Sequence, residues 1–401
     1  MADRPLAGVR VLDFTWVLAG PVATRILAAL GAEVIKIERK FEGFLLTTVQ
    51  TGITNDLNRD KLSISINMQK PEGIALAHRL AKISDIVIDN FSARVMRQWQ
   101  MDYESLVKIK PDIVCVSMSG FGHTGPHTHY VSFGPTLQAL TGYTLMMADK
   151  EGRPAGFSYS YSDSAGGFTG ALAAMLALWN RRRTGKGQFV DFAQFEGLIS
   201  LIGPALLDIA INGRKPQPPK WRSQEGPAAP HGVYRCQAEA SDDDRWVAIS
   251  VRSADEWERF VKAIGTPAWA FEPRFRTLYS RMSNHEELDG LISKWTADKS
   301  CDQVMGILQR AGVAAGIVAN AQDSCERDPH MRERGYFPQV AMPDGSTMQL
   351  SGMPFKLSAT PPAVRNGAHE VGSDADYVLG ELLGLSSTER EEMARAGVIW
   401  L

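Results

Sequence analysis

Two kinds of hydrophobic pattern alternate along the first half of the chain. Short runs rich in β-branched residues predict buried strands, and the longer segments between them carry apolar residues at helical spacing. The predicted strands are Val9–Phe14, Val34–Glu38, Leu62–Ile66, Asp85–Asn90, Ile113–Met118 and Phe189–Ala193. Strands that alternate with helices are joined by right-handed crossovers into a mostly parallel sheet. We therefore expect an α/β fold with a large, open, Rossmann-like sheet.

Three helices in this half are indicated by their boundary residues as well as by periodicity. Val22–Leu30 ends at a glycine, and Pro71–Ile83 begins with a proline, which fits the first helical turn. A longer helix is predicted over Ser164–Arg183. Small residues recur every four positions along it, at Gly166, Gly170 and Ala174. Because such residues share one helix face, we expect another backbone to approach that face closely.

The second half of the chain differs in composition. Prolines and basic residues are concentrated in Asn212–Pro230, which indicates an extended connection, and predicted strands and amphipathic helices of a smaller unit follow it. Two further helices, Asp374–Leu383 and Ser387–Ala396, are predicted near the end. We divide the chain into a large domain (1–195), a linker (196–230), a small α+β domain (231–320), a second linker (321–350) and a C-terminal segment (351–401).

Composition narrows the class of protein without indicating a reaction. The 401 residues include 43 Lys and Arg against 45 Asp and Glu, a formal net charge of −2, which argues against a broad nucleic-acid-binding face. The four cysteines are scattered, with neither disulfide-framework nor zinc spacing. Neither a secretory signal nor an apolar run of about 18 residues occurs. These features predict a cytoplasmic protein with neither nucleic acid nor membrane as a partner.

A glycine-rich segment follows the predicted strand Ile113–Met118. Gly120–Gly125 fits the spacing GxGxxG, but the residues after it form a poor helix, so the pattern favours a loop beside an active site over a dinucleotide fingerprint. His123, His127 and His129 could converge on a metal ion. Neither Cys nor a nearby carboxylate completes such a set, and we predict no metal site.

Asp163 is the residue that the sequence singles out most clearly. It stands immediately before the predicted small-residue helix, where Asp is a favoured N-cap residue. The alternative is a carboxylate held at the positive end of a helix, beside glycines that admit a ligand, where it could act as a nucleophile. Spacing alone leaves both interpretations open.

Several ordered blocks of sequence resemble one family of enzymes. The blocks are Pro5–Arg39, Asn58–Gly73, Asp89–Phe91, Ser119–Pro126, Asp163–Asp191 and Gly380–Gly397. Together they are similar to the family III CoA-transferases, which include formyl-CoA and carnitine CoA-transferases. The resemblance extends over nearly the whole chain. It implies an interlocked dimer, in which each chain is an open ring threaded by its partner and the C-terminal segment returns to the large domain.

By this resemblance, Asp163 falls on the catalytic aspartate of the family. The implied reaction moves CoA from a thioester donor to a free carboxylic acid through an aspartyl anhydride and an aspartyl-CoA thioester. Coenzyme A then takes part as a thioester substrate, and no cofactor is bound permanently. Each tetrahedral step needs hydrogen-bond donors for its oxyanion and a site that excludes water.

The resemblance also implies a set of CoA contacts. The matching positions are Trp16, Val17, Leu18, Ala19, Arg39, Ile66, Asn67, Met68, Asn90, Phe91 and Arg97. Other positions depart from the family pattern. The family usually has an arginine at the position of Gln98, Leu18 replaces a polar glutamine of formyl-CoA transferase, and Gly134 replaces an acidic residue. The four-glycine lid of that enzyme is also missing from Arg222–His231. These departures do not favour a very small acid.

Two other functions are alternatives to CoA transfer. Methylacyl-CoA racemases share the Asp-Gly-Gly block, but the position of their proton-moving histidine is Phe133 here, and a phenyl ring cannot carry a proton. A mainly structural subunit of a heteromeric transferase is the other alternative. Aromatic residues near the site favour a bulky acid, so we expect succinyl-CoA as donor and an aryl- or alkyl-succinate as acceptor. The partner is either a second copy or a homologous subunit.

Overall fold

The computed structural model describes residues 4–39, 52–147, 149, 151–156, 159–213, 226–238 and 244–400. The chain divides into two compact units. The large unit comprises Met1–Leu145, Gly156–Pro216 and Glu333–Leu401, and the small unit comprises Met146–Ala155 and Gln217–Arg332. Every residue that the sequence assigns to the active site belongs to the large unit, so that unit determines the geometry discussed below.

Strands and short helices alternate through the described residues. The strands are β1 Arg10–Asp13, β2 Glu33–Glu38, β3 Lys61–Ile66, β4 Ile86–Asp89, β5 Val114–Ser117, β6 Gln188–Asp191, β7 His231–Arg235, β8 Trp246–Ser250, β9 Ala314–Ile317, β10 Gln339–Ala341, β11 Thr347–Gln349 and β12 Ile399–Trp400. The α-helices of the large unit and its junctions are α1 Ala19–Ala29, α2 Gly52–Asn58, α3 Pro71–Lys82, α4 Arg94–Gln98, α5 Tyr103–Ile109, α6 Gly134–Leu140, α7 Tyr143–Met146, α8 Tyr161–Thr184, α9 Gln194–Ser200 and α10 Gly203–Asn212. Those that follow are α11 Ala254–Ala263, α12 Leu278–Ser283, α13 His285–Thr296, α14 Cys301–Arg310, α15 Pro329–Arg334 and α16 Ser387–Arg395.

The large unit is built on a seven-stranded sheet in the order β12-β3-β2-β1-β4-β5-β6. Six strands are parallel, and β12 joins antiparallel to β3, with Ile399 opposite Ile66. The prediction of an α/β fold with an open parallel sheet, formed by segments from both ends of the chain, is therefore confirmed. The strand order reverses between β1 and β4, and ligands of such sheets bind outside the carboxyl ends of the strands at this switch point.

Both faces of this sheet are covered by helices. Alternate residues of a strand point to opposite faces, so Val11 packs with α1 and α8 while Leu12 packs with α3 and the C-terminal helices. This double covering explains why the central strands β1, β4 and β5 are mainly apolar and buried. The site must therefore lie at an edge of the sheet, where loops replace the helices.

The small-residue face of α8 packs closely against its neighbours, as the sequence predicts. A Cβ added at Gly167 would overlap the Val22 side chain and lie 2.8 Å from the carbonyl oxygen of Ala19, both on α1. One at Gly170 would overlap Met118. These glycines bring the N-terminal part of α1 against the first turns of α8.

The start of α8 differs from the prediction. The helix begins at Tyr161, three residues before the predicted Ser164, and Ser160 occupies the N-cap position. The interpretation of Asp163 as the N-cap is therefore wrong, because this residue lies inside the first helical turn. The sequence signal was ambiguous since Ser160, Ser162 and Asp163 are all favourable N-cap types.

The small unit has an antiparallel sheet in the order β7-β8-β9, packed on one face by α11, α13 and α14. Two segments that the sequence assigned to linkers contain more structure than expected. Segment 196–230 includes the rest of α9 and all of α10, and segment 321–350 includes α15 and the β10–β11 hairpin. No single helix among the described residues is long and apolar enough to span a membrane; α9 and α10 pass that test only as a pair bent by 68°.

Candidate active site

The loops that follow β1 and β4 are joined at the switch point. The backbone N–H of Trp16 donates to Oδ1 of Asn90, and Nδ2 of Asn90 donates to the carbonyl oxygen of Trp16, both at 2.9 Å. The Trp16 side chain is 38% exposed and lies beside the Phe91 ring, with 6.1 Å between ring centroids. The structure thus brings three predicted CoA-site residues together although they come from two distant segments.

The loop after β1 has a strained backbone. Val17 has φ of 62°, in the left-handed region that β-branched residues rarely adopt. Leu18 and Ala19, which follow, are buried and begin α1. Strain of this kind persists only where the surroundings fix the chain, and it is common at ligand-binding sites. The four predicted positions 16–19 therefore form one rigid loop, in which Leu18 packs in the core.

A buried charged cluster lies beneath this loop. Lys36 donates from Nζ to the carbonyl oxygen of Thr15 at 2.7 Å. Nζ of Lys61 lies 3.3 Å from Oδ2 of Asp13 and donates to the carbonyl oxygen of Pro21, also at 3.3 Å. Two lysines thus bind backbone carbonyls on either side of residues 16–19, which fixes the ends of the loop.

Neighbouring charges keep Asp13 ionised despite burial, whereas at Lys61 burial outweighs the attraction of Asp13 and lowers the pKa to about 7. Burial would raise the pKa of Asp13, but Lys61 and Lys36 hold that pKa below its usual value. Burial lowers the pKa of Lys61, and the carboxylate of Asp13 opposes that effect. Asp13 is therefore an ionised, structural carboxylate, which accepts a hydrogen bond from the backbone N–H of Thr15 at 2.8 Å.

Asp163 has different surroundings in the first turn of α8. Burial raises the pKa of its carboxyl group, and a hydrogen bond with the Ser160 side chain acts in the opposite direction. Among the described residues, no ion pair within 4.0 Å involves Asp163. Gly167, one turn further along the same face of α8, contacts Ala19 and Val22, which places this end of α8 beside the N-terminus of α1. A partly desolvated carboxylate without a paired cation is suited to act as a nucleophile.

Gly134, at the start of α6, provides the space that the Asp163 carboxylate occupies. A Cβ at this position would lie 2.5 Å from Oδ2 of Asp163 and would overlap the hydroxyl oxygen of Ser160. The departure from the family pattern noted at this residue thus has a steric reason in this chain. Phe133, directly before it, is exposed.

The remaining predicted CoA residues lie at the ends of neighbouring strands and loops. Arg39 follows β2 and is exposed, and residues 40–51 beyond it lie outside the described part of the chain. Ile66 and Met68 are buried in the core, while the Asn67 side chain donates to the carbonyl oxygen of Gly397 at 3.1 Å. Contacts of these three residues with CoA stay a prediction, and their side chains have packing roles.

Arg97 lines a cavity of about 90 Å³ beyond the ends of β4 and β5. A chain of hydrogen bonds borders the same cavity: Oγ of Ser117 donates to Oδ1 of Asp89 at 3.2 Å and lies 2.7 Å from Nε2 of His123. Burial raises the pKa of Asp89 to about 7 and lowers the pKa of His123. Sequence reasoning placed Asp89 in a family-like block but assigned no role to it or to Ser117, because nothing in a buried strand distinguishes them.

The three histidines of the glycine-rich loop do not form a metal site. His123 bonds Ser117, and His127 stacks near Tyr130 with ring centroids 4.6 Å apart. Within the described parts of the chain, no group of three or more His, Cys, Asp or Glu side chains is placed to hold a metal ion.

Comparisons with known proteins agree with this geometry. The sequence profile of CoA-transferase family III matches residues 6–375. Succinyl-CoA–D-citramalate CoA-transferase of Chloroflexus aurantiacus is 31% identical over 397 residues, 96% of each chain. The succinyl-CoA–L-malate CoA-transferase beta subunit of the same organism is 27% identical over 406 residues, 98% of each chain. A crystal structure of a CaiB/BaiF family protein from Brucella suis superposes with a TM-score of 0.83 at 26% identity, covering 95% of this chain and 100% of that one.

The matched residues cover most of the chain and include Asp163. The protein therefore belongs to CoA-transferase family III, and it is a transferase that uses a CoA thioester as substrate.

Proposed function

We propose that the protein transfers CoA from succinyl-CoA to a bulky acid such as an aryl- or alkyl-succinate, with Asp163 as the nucleophile. The observation that supports this most directly is the position of the Asp163 carboxylate. It is partly buried in the first turn of α8, in space left by Gly134, and α8 contacts the N-terminus of α1 through Gly167. A ligand at the switch point would thus meet a reactive carboxylate.

The proposed reaction proceeds without net proton transfer. An oxygen of Asp163 attacks the thioester carbonyl, the C–S bond breaks, and CoA leaves as a thiolate. The thiolate then attacks Cγ of Asp163, the C–O bond of the anhydride breaks, and the donor acid leaves as a carboxylate. The acceptor carboxylate attacks the aspartyl thioester and releases the thiolate. The thiolate finally attacks the acceptor carbonyl, which forms the new thioester and restores Asp163.

The carboxyl edge of the sheet suits the CoA part of the substrate. The rigid loop at residues 16–19 and the linked Asn90 would line the reacting end, and Arg39 and Arg97 would face the phosphates. The N-terminal end of the eleven-residue helix α1 adds a partial positive charge at the same edge. A broad basic surface is not needed, which agrees with the nearly neutral chain.

The acceptor preference rests on aromatic side chains near Asp163. Tyr143 and Tyr161 stack with ring centroids 5.4 Å apart, and Tyr159 and Phe133 are both 53% exposed. Such surfaces favour an acid with an apolar or aromatic substituent. The succinyl-CoA donor is supported by the names of two relatives, whose acceptors are D-citramalate and L-malate.

An exposed apolar stripe on α8 supports association of two chains. Phe168, Leu172, Leu176 and Trp179 recur along one face of this helix and are each at least 45% exposed. Large exposed apolar patches mark protein interfaces. We propose that this face is covered in the interlocked dimer, with either a second copy or a homologous subunit as partner. Molar mass by light scattering, with and without a co-expressed homologue, distinguishes these partners.

Mass spectrometry of the Asp163 peptide tests the proposed reaction. Incubation with succinyl-CoA should attach CoA to this peptide, hydroxylamine should inactivate only the donor-treated enzyme, and a panel of acids should show the largest turnover with substituted succinates. Asp163→Ala should abolish both labelling and exchange, whereas Asp344→Asn, in the exposed β10–β11 turn, should retain both. Label at another residue, or solvent deuterium exchange into an acyl-CoA without acid exchange, would refute the proposal.

A further inference from the structure

Ser160 stands at the N-cap of α8 but does not cap the helix. In three other helices of this chain the N-cap serine accepts a hydrogen bond from the backbone N–H three residues later; these serines are Ser253, Ser300 and Ser386. The hydroxyl of Ser160 makes no such bond. An N-cap serine usually accepts a hydrogen bond from the helix backbone, so we expect another neighbour of the Ser160 hydroxyl among the facing side chains.

The other partner is the reactive carboxylate. The Cβ position at Gly134 is 1.5 Å from Oγ of Ser160 and 2.5 Å from Oδ2 of Asp163, so these two oxygens are neighbours no more than 4.0 Å apart. Oγ of Ser160 also lies 3.3 Å from Oγ of the buried Ser162. The Ser162 backbone is held in turn by Oε1 of Gln138, at 3.4 Å from its N–H. Since a hydroxyl can donate one hydrogen bond and accept others, Ser162 can donate to Ser160 while Ser160 donates to Asp163.

The Ser160 hydroxyl lies where only a glycine at position 134 leaves room. A Cβ at Gly134 would overlap Oγ of Ser160 and lie 2.8 Å from its Cβ. The missing side chain at position 134 and the hydroxyl at position 160 are thus one arrangement. The space beside Gly134 is therefore not empty, because the Ser160 hydroxyl fills it.

We propose that the Ser160 hydroxyl is a catalytic hydrogen-bond donor to Asp163, which stabilises the oxyanion formed when the thiolate or the acceptor carboxylate attacks Cγ of Asp163. This role rests on the proposed function. In each such step a bond forms at Cγ, and one aspartyl oxygen gains the negative charge until the C–O or C–S bond breaks. Ser160 keeps its proton throughout, and a donor already beside that oxygen needs little reorganisation.

Ser160→Ala tests the role through kinetics. Loss of one preorganised donor to an oxyanion lowers kcat by about 10²-fold in comparable sites, and we expect that loss with little change in KM for succinyl-CoA. Ser164→Ala is the matched control, since it removes a hydroxyl from the same helical turn whose hydrogen bond among the described residues is to the Tyr159 hydroxyl, at 3.3 Å. A wild-type kcat for Ser160→Ala would refute the proposal.

The pH profile separates a catalytic donor from a structural residue. The hydroxyl lowers the pKa of Asp163, so its removal should move the acid limb of kcat/KM to higher pH. The groups that face this turn from α1, α6 and α9 include Ala19, Val22, Gly134 and Gln194, none of which titrates, and the phenol side chains of Tyr159 and Tyr161 flank it. An unshifted acid limb in an otherwise folded Ser160→Ala enzyme would contradict the role.

Two further variants keep the test independent of folding. Ser160→Cys retains a weak donor of similar size and should recover part of the lost kcat. Gly134→Ala displaces the Ser160 hydroxyl and also crowds Oδ2 of Asp163, and the double variant with Ser160→Ala should be no slower than Gly134→Ala alone, because the contribution of Ser160 is already lost. Additive losses would refute the shared arrangement. If the wild-type enzyme carries no CoA on Asp163, the proposed function itself fails. If the wild-type enzyme does carry CoA on Asp163 but the Ser160 variants show wild-type kcat, only the role of Ser160 fails.

Discussion

Asp13 and Asp163 are two shielded carboxylates of the large unit with opposite surroundings. Asp13, at the end of β1, has Lys61 3.3 Å away and Lys36 close by, and its pKa is lowered. Asp163, at the start of α8, has the Ser160 hydroxyl as its described polar partner, and burial raises its pKa. The first carboxylate fixes a loop, and the second is available for chemistry.

The difference shows that the partner of a carboxylate, more than its burial, determines its role. A paired carboxylate is a poor nucleophile because its charge is already stabilised by a cation, and removing that cation leaves an uncompensated buried charge. An unpaired carboxylate near a helix N-terminus has its charge stabilised only moderately, so its oxygen can still attack a carbonyl carbon. Changes that remove either carboxylate should therefore have separable effects on activity and stability.

The largest expected effect is the loss of activity in Asp163→Asn. Loss of a nucleophile lowers kcat by a factor on the order of 10⁴ or more, while the neutral amide fits the same space and leaves the unfolding free energy nearly unchanged. Asp13→Asn should show the reverse pattern, with destabilisation as the primary defect. Exchange assays and chemical denaturation of both variants measure this. Equal destabilisation of the two variants would contradict the assignment of a structural role to Asp13 and a chemical role to Asp163.

Lys61→Met should cause the next largest effect. Removing one member of a buried ion pair costs about 3–5 kcal/mol, because Asp13 loses its nearest cation and the Pro21 carbonyl loses a donor. The double variant Asp13→Asn/Lys61→Met should be more stable than the sum of the two single losses predicts. Urea unfolding of the four proteins forms the thermodynamic cycle, and strict additivity would show that the pair does not interact.

A third carboxylate, Asp89, is buried without a paired cation in the described structure, and its effect should appear in the pH dependence of stability. It is buried and accepts from the Phe91 N–H at 3.0 Å and from Ser117, and its folded-state pKa is about 7. Because this pKa is above the unfolded value of 3.8, the folded state binds more protons between these limits, and stability from this group falls as pH rises from about 4 to about 7.

Asp89→Asn should remove this pH dependence. The expected loss in the wild type is about 2 kcal/mol between pH 5 and pH 7, since each pH unit contributes at most about 1.4 kcal/mol. The amide oxygen of asparagine can still accept both hydrogen bonds. Thermal unfolding at the two pH values measures the difference between wild type and variant, and parallel pH profiles would mean that Asp89 does not titrate in this range.

Asn90→Ala should destabilise the protein less than Lys61→Met does. It removes the two hydrogen bonds to the Trp16 backbone, each worth about 1 kcal/mol, but leaves the lysine contacts at Thr15 and Pro21 in place. We expect a higher KM for the CoA donor with a smaller change in kcat. An unchanged KM would mean that the lysines alone fix the loop.

Much of the fold was predictable from local pattern. Buried parallel strands and their helices are encoded by short-range periodicity, so their positions are confirmed to within a few residues. The predicted start of α8 was wrong because three of the four residues 160–163 favour an N-cap. The helices in segment 196–230 were missed because basic and proline-rich residues follow directly after them.

The sequence by itself determined the class of fold, the family and the aspartate that the family motif marks. Tertiary structure decided which carboxylates are paired, because Asp13 meets Lys61, and Gly134 meets Ser160 and Asp163, only after distant segments pack together. Electrostatic surroundings depend on distances of a few ångströms between residues far apart in the chain, and periodicity carries no such information.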